Sequence, residues 1–327
     1  MKRLMLWELV VLTVLLMATF VLLVTFPSPN FQAEISGKPD TNATTATTVT
    51  QVPGRFIPTW NTYPKDRELF AQQYFVYDCK ENTFLKSSGD ANTQVYPASI
   101  TKLFTAYVAM QYLAPTDQVT VGDALEFVVP GSSVAKLEAG DVLTVEQLVE
   151  AMMLPSGNDA AYVLACEAGR RIKNDPQLGI YNAKEAFVAE MNTQAASLGM
   201  TGTHFLNPDG IHETGHYTTF GDLAILGKLA LANETIMKYA NTAREKVTLH
   251  GETVEWKNTN KLIDRTNSYF CPYALGLKTG QTPDAGSCLL SAFRKDDTEL
   301  IIGVFACPNE DDRFDDTIQL FNEVVLK

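Results

Sequence analysis

Apolar and polar positions divide the chain into three stretches. Residues 4–26 are almost wholly apolar, with Glu8 as their only charge, and residues 9–26 carry none. An uncharged run of that length nearly crosses a bilayer as a helix. Lys2 and Arg3 precede it and no basic residue follows closely. That asymmetry predicts a cytoplasmic N-terminus, with the rest of the chain on the extracytoplasmic face of the cell membrane. The run exceeds a signal-peptide apolar core, and no A-x-A-like site follows it. It therefore reads as an uncleaved single-pass anchor over residues 1–26 rather than a cleaved signal peptide. Residues 27–56 lose the pattern: Pro27, Pro29, Pro39 and Pro53 break structure, and six threonines fall within residues 41–50. Such a segment behaves as a flexible tether. Residues 57–327 are expected to fold.

Within that third stretch the periodicity alternates between strand and helix. Residues 73–79 and 83–86 flank Asp78-Cys79-Lys80-Glu81-Asn82 and predict a hairpin. Residues 99–113, bounded by Pro97 and Pro115, are apolar nearly all round, which places a helix in the centre of the fold. Residues 144–153 predict a second helix, with Thr144 and Gln147 at capping-box spacing. Further helices are expected over 158–171, 183–198, 220–232 and 311–325, and strands over 246–256, 273–279, 287–293 and 300–306. Strands at both ends with helices between them predict an α+β fold, an antiparallel sheet flanked by helices.

Composition removes several kinds of function. The chain has 26 Lys and Arg against 38 Asp and Glu, a formal net charge of −12. Phosphate backbones would repel it, so no nucleic-acid partner is expected. The five cysteines, Cys79, Cys166, Cys271, Cys288 and Cys307, form no C-x-x-C pair and read as free thiols. The four histidines lack metal-protease spacing, and no metal is expected.

Three short motifs carry candidate chemistry: Ser99-Ile100-Thr101-Lys102, Ser156-Gly157-Asn158 and Lys278-Thr279-Gly280. Each alone has a plain structural alternative: a surface helix pair, a capping turn and a strand running into a turn. The first pattern even recurs at Ser133-Val134-Ala135-Lys136, and S-x-N recurs at Ser28-Pro29-Asn30. Context separates the copies. Ser133 sits in a turn-like stretch, whereas Ser99 opens the central apolar helix, where positions i and i+3 share a face. A serine hydroxyl needs a base, and a lysine serves only when burial lowers its pKa. Backbone N–H groups at a helix start can also stabilise an oxyanion. Ser156 and Asn158 lie between two helical runs, where a loop can aim them into a cleft. Lys278 and Thr279 end a strand, where an edge can hold an extended peptide, and Gly280 would let that ligand approach the backbone. S-x-x-K with K-T-G in order is the signature of penicillin-binding proteins and class A β-lactamases.

Beyond these motifs the chain resembles the D-alanyl-D-alanine carboxypeptidases, the low-molecular-mass penicillin-binding proteins, over about residues 70–325. Pro97 to Leu103, Leu154 to Ala161, and Gly276 to Thr282 with Ala285-Gly286 are similar to that family's three catalytic segments. Met191-Asn192, Leu198-Gly199-Met200, Thr203-His204-Phe205 and Asn258 to Leu262 also match. The resemblance implies a β-lactamase/DD-peptidase-like fold with a helical subdomain, and a DD-peptidase domain at 57–327. It implies a serine carboxypeptidase that removes the terminal D-alanine of the peptidoglycan stem pentapeptide, with β-lactams as covalent inhibitors. Carried across, Ser99 is the acylated nucleophile and Lys102 its base. Ser156 relays a proton to the leaving D-alanine, and Asn158 holds the acyl-side amide and orients Lys102. Lys278 and Thr279 bind the terminal carboxylate, with Gly280 beside them. The N–H groups of Ser99 and Gln281 form the oxyanion hole.

Two other readings stay open. A β-lactamase would need a deacylating glutamate, and no E-x-x-L-N segment lies between the second and third motifs. A β-lactam sensor or peptidoglycan-binding scaffold would bind without turnover. Arg313 lies where the family often places an arginine near the site and could help bind a carboxylate, but among Asp311, Asp312 and Asp315 it reads equally as a surface charge and stays outside the expected site.

Overall fold

Strand alternation sets the frame of the molecule, and two helical layers cover it. A computed structural model describes Trp60 and residues 67–326, so the predicted anchor at 1–26 and tether at 27–56 lie outside the described residues. Among the described residues no helix is long and apolar enough to cross a membrane.

The hairpin of β1 (Gln73–Asp78) and β2 (Thr83–Ser87) forms as expected, and β3 (Gln94–Val95) follows. A 3₁₀ turn at Ala98–Ile100 then opens α1 (Thr101–Tyr112), so Ser99 lies in the turn rather than in the helix proper. Short strands β4 (Gln118–Thr120) and β5 (Val142–Thr144) pair and lead to α2 (Val145–Met153). The Thr144 side chain accepts the Gln147 N–H while Gln147 caps the Thr144 N–H, the capping box that the sequence predicted. Next come α3 (Asn158–Lys173), α4 (Ile180–Ser197), β6 (Thr218–Thr219), α5 (Phe220–Leu231) and α6 (Glu234–Ala240).

Two expectations fail here. Helix α6 was not foreseen; it is short and capped by Asn233, whose side chain accepts the Ile236 N–H at 3.0 Å. The single strand expected over 246–256 is a hairpin of β7 (Arg244–Leu249) and β8 (Glu252–Lys257). His250 and Gly251 turn it, with φ of 54° and 76°. That left-handed pair matches the twist of the flanking strands.

The chain closes with β9 (Ala274–Thr282), β10 (Gly286–Lys295), β11 (Thr298–Cys307) and α7 (Asp312–Val325). One antiparallel sheet runs in the order β2-β1-β11-β10-β9, which leaves β9 at an edge. Phe75, Gly303, Leu290 and Lys278 stand opposite one another across four strands, so they share a face. That face meets the helical layer, where the Phe75, Phe220 and Phe305 rings pack 5.1–6.3 Å apart. Each such buried ring contributes about 1.5–3 kcal/mol. Gly303 makes room, because a Cβ there would fall 2.4 Å from the Phe75 ring.

The opposite face, with Val76, Ile302 and Val304, packs on α7 through Phe314, Ile318 and Phe321. Helix α7 is buried from Asp312 to Asn322. The start of the described chain lies over it. Arg67 Nη2 donates to Asp316 Oδ1 at 2.5 Å, the Ala71 N–H to Asp316 Oδ2 at 2.6 Å, and Asn322 Nδ2 to the Trp60 carbonyl.

Candidate active site

The first motif forms a buried hydroxyl–amine pair. Lys102 Nζ donates to Ser99 Oγ at 2.8 Å and to the Asp209 carbonyl at 2.7 Å. The all-round apolar helix places Lys102 fully out of water. Desolvation pulls its pKa down to about 8, partly opposed by the carboxylates of Asp209 and Asp159. Low dielectric disfavours an ammonium, and this is the environment a lysine base needs. The second acceptor differs from the expected one. The Asp209 carbonyl orients Lys102, while Asn158 Oδ1 lies buried with no hydrogen-bond partner among the described residues.

The segment that supplies Asp209 was not singled out in the sequence. Thr105 Oγ1 donates to the Pro208 carbonyl at 2.6 Å, and the Gly210 N–H to Asn207 Oδ1 at 2.8 Å. Gly210 has φ of +83°, and a Cβ there would fall 1.9 Å from the Ala98 carbonyl oxygen. Only glycine lets this turn press against the turn that holds Ser99. His216 completes the support. Its Nδ1 accepts the Leu206 N–H at 3.2 Å, and its Nε2 lies 3.0 Å from Thr101 Oγ1. Burial pushes its pKa down to about 4, so the ring is neutral and Nε2–H donates to Thr101. The signal for this segment was Asn207-Pro208-Asp209-Gly210, a turn-forming string.

The second motif opens α3. Ser156 is buried with φ of 62°, and Ala98 before Ser99 has φ of 47°. Left-handed non-glycine residues cost about 1–3 kcal/mol each and cluster at functional sites. The Asn158 N–H donates to the Ser133 carbonyl at 2.8 Å. Asp159 accepts the Ala135 and Leu137 N–H groups at 2.9 and 3.0 Å. These bonds place Ser133 in the cleft. It belongs to the second S-x-x-K copy, which has no helix behind it, and yet it stands in the same cleft as Ser99 and Ser156.

The third motif lies on edge strand β9. Lys278 is buried, and its Nζ reaches the Thr279 carbonyl at 3.3 Å and Thr259 Oγ1 at 3.4 Å. Thr259 and Thr279 share a hydroxyl–hydroxyl bond. Lys278 is pulled well below the ordinary lysine range, first by burial and then by the charges of Lys102 and Arg313. Gly280 has a further steric reason. The turn that holds Ser99 comes against it: a Cβ would meet the Pro97 carbonyl oxygen at 2.8 Å and the Ser99 nitrogen at 3.1 Å.

Arg313 corrects the sequence reading. It is 3% exposed, donates from Nη1 to the Gly280 carbonyl at 3.2 Å and pairs through Nη2 with Glu310 at 3.0 Å. Its three acidic neighbours in sequence suggested a surface charge, but α7 is buried and turns Arg313 inward. Ser99, Ser156, Thr279, Gly280, Gln281 and Arg313 all line one cleft of about 230 Å³. Lys102, Asn158 and Lys278 lie buried in contact with its walls. Among the described residues no cluster of His, Cys, Asp and Glu could hold a metal ion. All five cysteines are free thiols.

A serine hydroxyl held by a buried lysine, at the foot of an edge strand, defines the active-serine class in which lysine takes the place of histidine. The profile of peptidase S11, D-alanyl-D-alanine carboxypeptidase, matches residues 60–309, and the chain belongs to that family. The chain is 31% identical to the D-alanyl-D-alanine carboxypeptidase DacF of Bacillus subtilis (strain 168), over 68% of this chain and 54% of that protein. It is 34% identical to the D-alanyl-D-alanine carboxypeptidase of Streptomyces sp. (strain K15), over 71% of this chain and 79% of that one. The match to DacC of Escherichia coli (strain K12) covers 56% of that protein, so the chain spans about half the length of DacF and DacC. The crystal structure of the Streptomyces K15 DD-transpeptidase superposes with a TM-score of 0.69 at 30% identity, over 79% of this chain and 98% of that one. The D-alanyl-D-alanine carboxypeptidase from Mycobacterium tuberculosis H37Rv gives 0.68 at 25% identity, over 83% and 97%. These matches agree with the α+β fold read from the sequence.

Proposed function

We propose that the chain is a serine D-Ala-D-Ala carboxypeptidase that removes the terminal D-alanine of peptidoglycan stem pentapeptides and is acylated by β-lactams. The observation that carries this reading is the 2.8 Å approach of the buried Lys102 amine to Ser99 Oγ. A neutral Lys102 takes the Ser99 proton as Oγ attacks the penultimate carbonyl, and the N–H groups of Ser99 and Gln281 receive the oxyanion. The tight contact of Gly280 with the Ser99 nitrogen supports that pairing. Ser156 passes a proton to the departing D-alanine nitrogen, and Asn158 Oδ1 is available to accept the acyl-side amide N–H. Water then attacks the acyl-enzyme, with Lys102 again as base.

The terminal carboxylate goes to Thr279, with Lys278 and Arg313 behind it. Among the described residues no ion pair joins Lys278 to a carboxylate, so an incoming anion would favour the charged amine that burial and its cationic neighbours disfavour. The apolar run at 9–26 supports an anchor that holds the domain on the extracytoplasmic face.

The test is D-alanine release from diacetyl-Lys-D-Ala-D-Ala, together with the mass of the chain after benzylpenicillin treatment. Release together with a penicilloyl adduct on Ser99, both lost in Ser99→Ala, is expected. Unchanged release by Ser99→Ala would overturn the reading, and rapid destruction of penicillin would favour the β-lactamase alternative.

A further inference from the structure

A cavity of about 560 Å³ shares no lining residue with the Ser99 cleft. It lies between α2, α6 and the β7–β8 hairpin. Tyr239 and Trp256, both buried, and Leu143 form apolar wall. At the hairpin tip His250 Nε2 meets Asp141 Oδ2 at 2.9 Å, which ties β7–β8 to the segment before β5. A cavity of this size suits a small ligand or the end of a long side chain.

Its charge is unbalanced. Glu150 of α2 lines the cavity and is 7% exposed. No hydrogen bond or ion pair reaches its carboxylate among the described residues. The other charged groups around it are accounted for. Lys238 of α6 is taken by Glu146 at 2.8 Å, and His250 by Asp141. Glu245 and Lys246 of β7 are exposed, and Glu245 adds repulsion to Glu150. A largely desolvated carboxylate that faces a cavity without a protein donor gains from a cationic partner there.

We propose that this cavity binds an alkylammonium group, with Glu150 and Glu245 as the charge partners and Tyr239 and Trp256 against its methylenes. A primary amine supplies the three N–H donors that Glu150 lacks, and its alkyl stem fits the apolar wall. The group is either a free amine or the end of a lysine side chain in a peptide, which share this chemistry. Burial and the charge of Glu245 push Glu150 up to about 7. The ionised form binds the cation, so affinity falls as pH drops below that value.

The test is calorimetric titration of the 327-residue chain with cadaverine, with a lysine-bearing tripeptide amide and with 1-pentanol as the uncharged control. Saturable binding of an amine is expected, at least about ten-fold weaker in Glu150→Gln, unchanged in Ser99→Ala and absent for 1-pentanol. A tighter fit of cadaverine or of the tripeptide identifies the source. Thermal unfolding checks that Glu150→Gln is folded, and Glu245→Gln gives an independent reading of the same charge. Equal affinity in wild type and both Gln variants, equal binding of 1-pentanol, or no saturable binding of either amine would overturn the proposal. These readouts do not depend on Ser99 chemistry, so a failed carboxypeptidase assay leaves them intact.

Discussion

The Ser99 cleft and the hairpin cavity bury opposite charges, and the contrast shows how each is meant to be filled. Around Ser99 the buried ionisable groups are basic: Lys102, Lys278 and Arg313. Their carboxylate neighbours are the buried Asp209 and Asp159 near Lys102, and Glu310 and Asp311 near Arg313. Beneath the hairpin the buried ion is the carboxylate of Glu150. In both places the fold leaves a desolvated charge incompletely paired, a state that costs stability until a counter-charge arrives. The cleft differs in adding a nucleophile and two left-handed residues, Ala98 and Ser156, beside it. The cavity has neither. Unpaired charge alone therefore marks binding, and unpaired charge beside an activated hydroxyl marks chemistry.

The sharpest test of that distinction is Lys102→Met. It should lower D-alanine release and penicillin acylation by about 10²–10⁴-fold, the usual worth of a general base. Cadaverine affinity should not change. The wild-type rate should rise with pH through about 8, because burial holds Lys102 there and the neutral amine is the working form. A profile flat from pH 6 to 9 would remove Lys102 from the role.

Lys278→Met comes next. It should weaken carboxylate substrates by roughly 10–100-fold, the worth of one hydrogen bond to a charged group. A substrate amidated at its C-terminus should lose far less, and equal losses for both would make Lys278 a structural residue.

Gly280→Ala should cost about 1–3 kcal/mol of stability as its methyl meets the Pro97 carbonyl oxygen. It should also slow acylation, because the displaced backbone carries the Ser99 nitrogen. Calorimetric unfolding and stopped-flow penicillin binding read the two effects.

The smallest effect belongs to the cavity. Glu150 has a folded-state pKa of about 7, above its unfolded value near 4.3, so the folded state binds more protons between them. Stability therefore falls as pH rises through that window. Glu150→Gln should raise stability by up to about 1–3 kcal/mol at pH 8 and leave it nearly unchanged at pH 4. Equal shifts at both pH values would place another partner on Glu150.

The helices and strands that carry the three motifs were legible in the sequence because each rests on local pattern. The capping box at Thr144 and the all-round apolar α1 needed no tertiary information. The β7–β8 turn was missed because Lys246 to Trp256 keeps a strand-like composition through His250, and Gly251 alone marked the reversal. Arg313 was misplaced because acidic neighbours suggested water, while burial of α7 is decided by β10 and β11. Asp209, Gly210, His216 and Ser133 act through contacts more than twenty residues away in sequence, and no local pattern reports such contacts. Gly280 has a second close neighbour that the motif did not show: only the fold brings the Ser99 turn against it.

The latch between the first described residues and α7 has a mechanical consequence. Tension arriving along the backbone through Trp60 falls first on the Asn322 amide, the Arg67–Asp316 ion pair and the Ala71 amide. Behind them it meets β1, an interior strand clasped between β2 and β11. Two further strands, β11 and β10, separate β1 from β9 and its Lys278-Thr279-Gly280 edge. A pull on that side of the molecule is thus borne by a sacrificial clasp on the last helix, and the edge beside Ser99 is shielded from the load.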